Sequence, residues 1–122
     1  MAAAESRLGT GSLTTLHWVG IVAAVTTAAV HLVLGVQDLF GGFGTLFLIS
    51  TVGFLAGIAA VVVGYRRRLV YLLGLPFTAG QIVLWFALNQ PIPPISTVEL
   101  VDKLAQMVLV VVLVVLLMSE TS

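Results

Sequence analysis

Four apolar stretches, each about twenty residues long, constrain the fold of this chain more than any other feature. They run over about residues 14–35, 43–64, 69–89 and 97–118. A helix needs about 20 apolar residues to cross the roughly 30 Å of hydrocarbon in a membrane. Because a spanning segment must pair its own backbone polar groups, each stretch predicts a transmembrane α-helix.

The composition agrees with a membrane protein and excludes several other classes. The 122 residues are 60% hydrophobic and 8% charged, whereas soluble domains carry about 25% charged residues. The chain has no cysteine and a formal net charge of zero. These two facts exclude a disulfide-stapled secreted module, a cysteine zinc site, a thiol enzyme and a basic nucleic-acid-binding protein. The expected partner is the lipid bilayer, with no nucleic acid.

Short connections set the predicted architecture. The links at residues 36–42, 65–68 and 90–96 leave each helix antiparallel to the one before it. The sequence therefore predicts an all-α, up-down four-helix bundle that forms one transmembrane domain over residues 13–119. Residues 1–12 are expected to form a flexible tail. Whether the fourth stretch spans fully is left open, because its polar first turns are expected at headgroup depth or against other helices.

The orientation is predicted from three consecutive arginines, Arg66, Arg67 and Arg68. Short loops rich in arginine and lysine stay on the cytoplasmic side, so both termini are expected in the cytoplasm of a multi-pass plasma-membrane protein. The same arginines are candidates for contacts with anionic lipid.

The two histidines of the chain, His17 and His31, both fall in the first helix. A separation of 14 residues places them on one face, roughly 40° apart around the axis and about 21 Å apart along it. This spacing resembles the ligating helices of diheme b-type cytochromes. The resemblance implies axial ligation of haem b by His17 and His31 in a homodimer, with Arg66–Arg68 near the propionates.

Two other interpretations of the histidines stay open. In the first, His17 is an interfacial side chain and His31 is a buried, hydrogen-bonded one. In the second, His31 takes part in a proton relay, with Asp38 as a partner.

Small residues predict where helices pack closely. Gly20 and Ala24 lie between the histidines on the first helix, and Gly53 and Gly57 form a G-x-x-x-G motif on the second. We expect these two small-residue faces to meet inside the bundle, with dimerisation as the alternative.

The remaining polar residues in the spans are few. Gln81 is expected to make an interhelical hydrogen bond, with Gln106 or a histidine as its partner, or to line a ligand pocket. Glu99, Asp102, Lys103 and Gln106 form one stripe, because pairs of them are four residues apart. The stripe predicts either a solvated first helical turn or a vestibule for a cation or substrate.

Over most of its length the chain resembles short four-span membrane proteins of haloarchaea. The residues that carry this resemblance are HWVGIVAAVTTAAVHLVLG at 17–35 and RRLVYLLGLPFTAGQIVLW at 67–85. The resemblance implies an archaeal origin and four spans, and it implies no activity.

The sequence contains no motif that indicates catalysis or a metal site, so no catalytic residues are predicted. The favoured interpretation is an oligomeric or accessory membrane subunit that packs with copies of itself or with another membrane protein. The alternatives are a haem-binding electron carrier and a small channel or transporter.

Overall fold

The structure is a computed structural model that describes residues 13–88 and 96–120. These residues form four α-helices: α1 (Thr15–Gln37), α2 (Gly44–Val62), α3 (Arg67–Leu88) and α4 (Thr97–Glu120). The all-helical prediction is confirmed, and all four helices are long and apolar enough to cross a membrane. The fourth helix is therefore long enough to span fully, because its apolar segment covers Thr97–Ser119. The tail predicted for residues 1–12 and the link at 90–95 lie outside the described residues.

Helix α1 begins with a capping box in which a histidine takes the usual place of glutamate or glutamine. The Thr14 backbone N–H donates to His17 Nδ1 at 3.0 Å, and the His17 backbone N–H donates to Thr14 Oγ1 at 3.5 Å. Two backbone donors at the helix start are thereby satisfied. Because Nδ1 accepts a hydrogen bond, a neutral His17 ring carries its proton on Nε2.

The turn between α2 and α3 holds the three arginines. Gly64 has a φ of 74°, which glycine adopts readily, and Arg66 has a φ of 47° in the same left-handed region. Arg67 Nε donates to the Val61 carbonyl at 3.0 Å and so satisfies a carbonyl at the end of α2. Arg66 and Arg68 are exposed. We call this end of the bundle the arginine end, and the end with the α1–α2 turn the Asp38 end.

The antiparallel order is visible in the pairs that touch. Along α1 and α2, Ala28 accepts from Thr51 at 3.3 Å and the later Gly35 lies against the earlier Leu48. Along α3 and α4, Gln81 accepts from Gln106 at 2.9 Å and the earlier Gly74 lies near the later Leu113. Helix α1 is the most enclosed, with 39% of its apolar span buried, whereas only 11% of the α3 span is buried. Helix α1 therefore forms the centre of the core, and α3 lies at its edge. The buried apolar residues are Ala23, Ala24, Ala28, Phe54, Val61, Tyr71, Leu109, Val112, Leu113 and Leu116.

The small residues pack inside the bundle, but with partners other than those expected. A Cβ atom on Gly20 would lie 2.8 Å from Val112 Cγ1, so this part of α1 packs against α4. A Cβ atom on Gly53 would lie 2.6 Å from Phe77 Cζ, so the G-x-x-x-G motif faces α3. Gly20 and Gly53 therefore do not pack against each other as expected, although Gly35 of α1 does lie against Gly44 of α2. The large side chains Val112 and Phe77 fill the spaces that the glycines leave.

Candidate functional site

Polar side chains from all four helices meet at one depth of the bundle, and we call them the polar layer. At 1.5 Å per residue they lie about 8 to 15 Å from the Asp38 end. The layer consists of Thr27 and His31 on α1, Ser50 on α2, Gln81 on α3, and Asp102, Lys103 and Gln106 on α4.

A buried ion pair forms the charged part of the polar layer. Lys103 Nζ lies 3.1 Å from Asp102 Oδ2, and the two residues are 9% and 4% exposed. The Thr27 hydroxyl donates to the other carboxylate oxygen, Oδ1, at 2.5 Å. Taking either charge alone into the bundle would be costly, so the pair and its hydrogen bonds are needed together.

His31 stands beside this ion pair on α1. Its Nδ1 is 2.8 Å from the Thr27 carbonyl oxygen, which can only accept, so Nδ1 carries a proton. The same atom is 3.6 Å from Asp102 Oδ1. The ring lies near the rings of Phe47 and Phe54, with centroid distances of 5.6 and 5.9 Å. His31 is therefore held by one polar edge and by two aromatic neighbours.

A chain of hydrogen bonds extends the layer from α4 to α2. Lys103 Nζ donates to Gln106 Oε1 at 2.8 Å, and Gln106 Nε2 donates to Gln81 Oε1 at 2.9 Å. Gln81 Nε2 in turn donates to the Ser50 hydroxyl at 3.1 Å. Lys103 Nζ also lies 5.7 Å from the centroid of the Trp85 ring, within the range of a cation–π contact. The layer thus cross-links all four helices.

The polar residues singled out from the sequence do not all join this layer. Gln81 pairs with Gln106, the first of the partners expected for it. Asp102 and Lys103 lie against other helices, the second of the two places expected for the first turns of the fourth helix. Glu99 is only partly buried, and its backbone N–H donates to the Ser96 hydroxyl at 3.1 Å. His17 lies at the arginine end, far from the layer.

A cavity of about 340 Å³ lies next to the polar layer on the side of the arginine end. Each helix places a cavity residue three positions from a residue of the layer. These pairs are Ala24 and Thr27, Gly53 and Ser50, Thr78 and Gln81, and Leu109 and Gln106. Because three residues are about one helical turn, the polar layer lies about one turn beyond this end of the cavity.

The cavity wall is almost entirely apolar. Its polar side chains are His17 and Tyr71 near the arginine end and Thr78 near the layer. None of the lining residues carries a carboxylate, ammonium or guanidinium group. A volume of about 340 Å³ falls within the usual range of small-molecule pockets, about 300–1,000 Å³. Its volume and lining suit a small, mainly apolar molecule.

The two histidines occupy different surroundings on the same buried face of α1. His17 lines the cavity and is 7% exposed, whereas His31 belongs to the polar layer and is 5% exposed. Helices α2 and α4 cover this face, so a second copy of α1 could reach neither ring without displacing them. Within residues 13–88 and 96–120, no group of three or more His, Cys, Asp or Glu side chains is placed to hold a metal ion.

Sequence reasoning missed the cavity and two members of the layer. The cavity depends on how α2 and α3 meet at Gly53 and Phe77, which residue spacing alone does not give. The position of Thr27 could have indicated its membership of the layer, because it precedes His31 by one turn on the inward face of α1. Ser50 gave no such indication, since serine in a span commonly bonds only to its own helix.

The fold and the site define a small all-α protein of four apolar helices with a buried ion pair and an apolar cavity between them. The chain belongs to DUF7475, a family of unknown function, whose model matches residues 3–117. Neither the curated proteins nor the solved structures contain a match to it.

Proposed function

We propose that this protein binds a small lipophilic molecule inside the membrane. The observation that carries the proposal is the apolar cavity of about 340 Å³, which all four helices line and which lies next to the polar layer. A void deprives the side chains around it of dispersion contacts. A bound molecule restores those contacts, and a membrane supplies candidates at high local concentration.

The glycines on α2 and α3 keep the cavity open. A Cβ atom on Gly57 would meet only Val70 Cγ1, at 3.7 Å, and one on Gly74 would approach Leu113 Cδ1 no closer than 3.5 Å. Both positions line the cavity, and both would admit a side chain without a clash at Cβ. Larger residues could fill the cavity at both positions, but the chain has glycine there. This supports the proposal that the cavity binds a molecule.

The polar layer favours binding over conduction. Its members lie at one depth and satisfy one another, so they form a lateral cross-link through the bundle. Toward the arginine end the lining becomes apolar, with Phe54 and Leu109 directly next to the layer. An ion that passed the layer would meet a mainly apolar wall with only Thr78, Tyr71 and His17 as polar side chains, which argues against a channel.

The membrane placement of the site follows from the arginines. We propose that the arginine end and both termini face the cytoplasm of a plasma-membrane protein, because basic loops are retained on that side. The polar layer then lies in the outer half of the membrane, and the cavity extends from it toward the inner half.

A role as an accessory subunit is a second candidate, and it is compatible with ligand binding. Only 11% of the α3 span is buried, and its exposed apolar residues include Leu72, Leu73, Val83 and Leu84. Such a face suits lipid or the helix of another membrane protein.

The binding proposal is tested with farnesene, a fifteen-carbon hydrocarbon without polar atoms. Deuterated farnesene is added to nanodiscs that contain the full chain, and the amount retained above empty nanodiscs of the same lipid is measured by mass spectrometry. We expect saturable retention by the native chain and a loss of at least tenfold in Gly57→Leu and Gly74→Leu, whose new side chains fill the cavity.

Gly80→Leu is the matched control for these variants. A Cβ atom on Gly80 meets nothing within 4 Å, and Gly80 does not line the cavity. This variant should retain farnesene like the native chain. Retention that is equal in all four proteins, or no greater than in empty nanodiscs, would contradict the proposal.

A further inference from the structure

The hydroxyl of Thr78, in the cavity wall, does not bond to its own helix as other threonine hydroxyls of the bundle do. Thr78 is 1% exposed, and its Oγ1 has no hydrogen-bond partner among the residues that the structure describes. A buried hydroxyl without a partner is costly, so such groups in native proteins call for an explanation.

Other hydroxyls in the described helices show what Thr78 could have done instead. Thr26 Oγ1 donates to the Val22 carbonyl at 2.8 Å, and Thr51 Oγ1 donates to the Phe47 carbonyl at 3.0 Å. Both bonds go to the carbonyl four residues earlier, the common arrangement for threonine in a helix. The corresponding carbonyl for Thr78 is that of Gly74, and Thr78 does not use it.

Thr78 lines the end of the cavity that is nearest the polar layer. It lies one turn before Gln81, whose amide is already engaged by Ser50 and Gln106. The polar layer therefore has no need of Thr78. Threonine in a helix divides between two χ1 rotamers, so Oγ1 can turn toward an occupant of the cavity.

We propose that the molecule bound in the cavity carries a neutral oxygen, as an alcohol or a carbonyl, which forms a hydrogen bond with Thr78 Oγ1. The inference rests on the proposed binding function and adds the chemical class of the ligand. The lining contains no lysine or arginine, and its one histidine, His17, lies near the arginine end away from Thr78, so the wall next to Thr78 favours a neutral group over a carboxylate. The remaining wall accommodates the apolar body of the ligand.

The test compares two probes that share a skeleton, farnesol with a hydroxyl and farnesene without one. Each is measured with the full chain in nanodiscs, as above, and the ratio of the two affinities is the readout. Partition of each probe from the lipid is the same for every variant, so it cancels when ratios are compared. In Thr78→Val, which keeps the shape and removes the hydroxyl, the farnesol-to-farnesene ratio should fall about five- to tenfold.

Thr26→Val is the matched control, since it makes the same change on α1 at a residue that does not line the cavity. Its ratio should equal that of the native chain. An unchanged ratio in Thr78→Val would overturn the inference while leaving the binding function intact. An equal loss of both probes would also overturn it, because Thr78 would then only shape the cavity. If the native chain retains neither probe, the binding function fails as well.

Discussion

The hydroxyl of Thr27 donates to Asp102 Oδ1 at 2.5 Å, although 75 positions of sequence separate the two residues. This bond joins α1 to α4 at the depth where the lysine of the ion pair also lies. It gives the buried carboxylate a second partner besides Lys103, whose Nζ is 3.1 Å from Oδ2. A carboxylate buried in this way lowers the stability of the fold as soon as one of its partners is removed.

Removing the negative charge should destabilise the bundle strongly. Asp102→Asn keeps an acceptor for Thr27 but leaves the Lys103 ammonium without a counter-charge. We expect a loss of about 3–5 kcal/mol in the free energy of unfolding. The measurement is SDS titration of the protein in mixed micelles, followed by circular dichroism.

The double variant Asp102→Asn with Lys103→Gln is the control for this prediction. It removes both charges, so it should lose clearly less stability than Asp102→Asn alone. If the single and double variants unfold alike, the ion pair does not contribute as described.

The amide pair between α3 and α4 should couple measurably. Gln81→Leu removes one bond of Gln106, whereas Gln106→Leu also removes the acceptor of Lys103 Nζ, which is 2.8 Å away. Interhelical hydrogen bonds in membranes contribute about 0.6 kcal/mol on average and up to about 1.7. Gln81→Leu should therefore cost about 1 kcal/mol, and Gln106→Leu should cost more.

A double-mutant cycle isolates the pair itself. The combined variant should be less unstable than the sum of the two single variants, because both remove the same Gln81–Gln106 bond. Strict additivity would show that the two amides do not interact in the membrane.

The four helices were predictable from the sequence because long apolar stretches are local signals. The sequence also singled out Gln81, Gln106, Asp102, Lys103 and His31 as scarce polar groups. Their meeting in one layer was not predictable, because it depends on the relative rotation and shift of four helices. The pairing of Gly53 with Phe77 depends on the same geometry, which spacing within one helix does not encode.

The close approach of α1 to α4 makes Gly20 sensitive to a single added methyl group. A Cβ atom there would lie 2.8 Å from Cγ1 of Val112, a stiff β-branched residue that is 3% exposed. Overpacking of this kind typically costs about 1–3 kcal/mol, so Gly20→Ala should lower the unfolding free energy by about that much.

Gly80→Ala serves as the comparison, since open space surrounds that position. It should not lower the unfolding free energy in the same titration, and the higher helix propensity of alanine should raise it by up to about 1 kcal/mol. Combining Gly20→Ala with Val112→Ala removes the clashing methyl group, so the added cost of the alanine at position 20 should disappear. A persistent cost would point to a cause other than this contact.

The capping box at the start of α1 predicts that His17→Gln lowers the stability of the protein less than His17→Leu does. Glutamine at this position accepts from the Thr14 backbone N–H as the histidine does, whereas leucine leaves that donor without a partner. His17→Leu should cost about 1 kcal/mol, and His17→Gln should cost less. The comparison uses the same titration, and an equal loss in both variants would contradict a capping role.

The orientation can be tested directly because the chain has no cysteine. Gly42→Cys places a thiol in the α1–α2 turn, where a Cβ atom meets nothing within 4 Å, and Tyr65→Cys places one in the exposed α2–α3 turn. Short basic loops stay in the cytoplasm, so an impermeant maleimide added to intact cells should label the cysteine at position 42. It should label the one at position 65 only after the membrane is permeabilised. The reverse pattern would place the arginine end outside, and the polar layer would then lie in the inner half of the membrane.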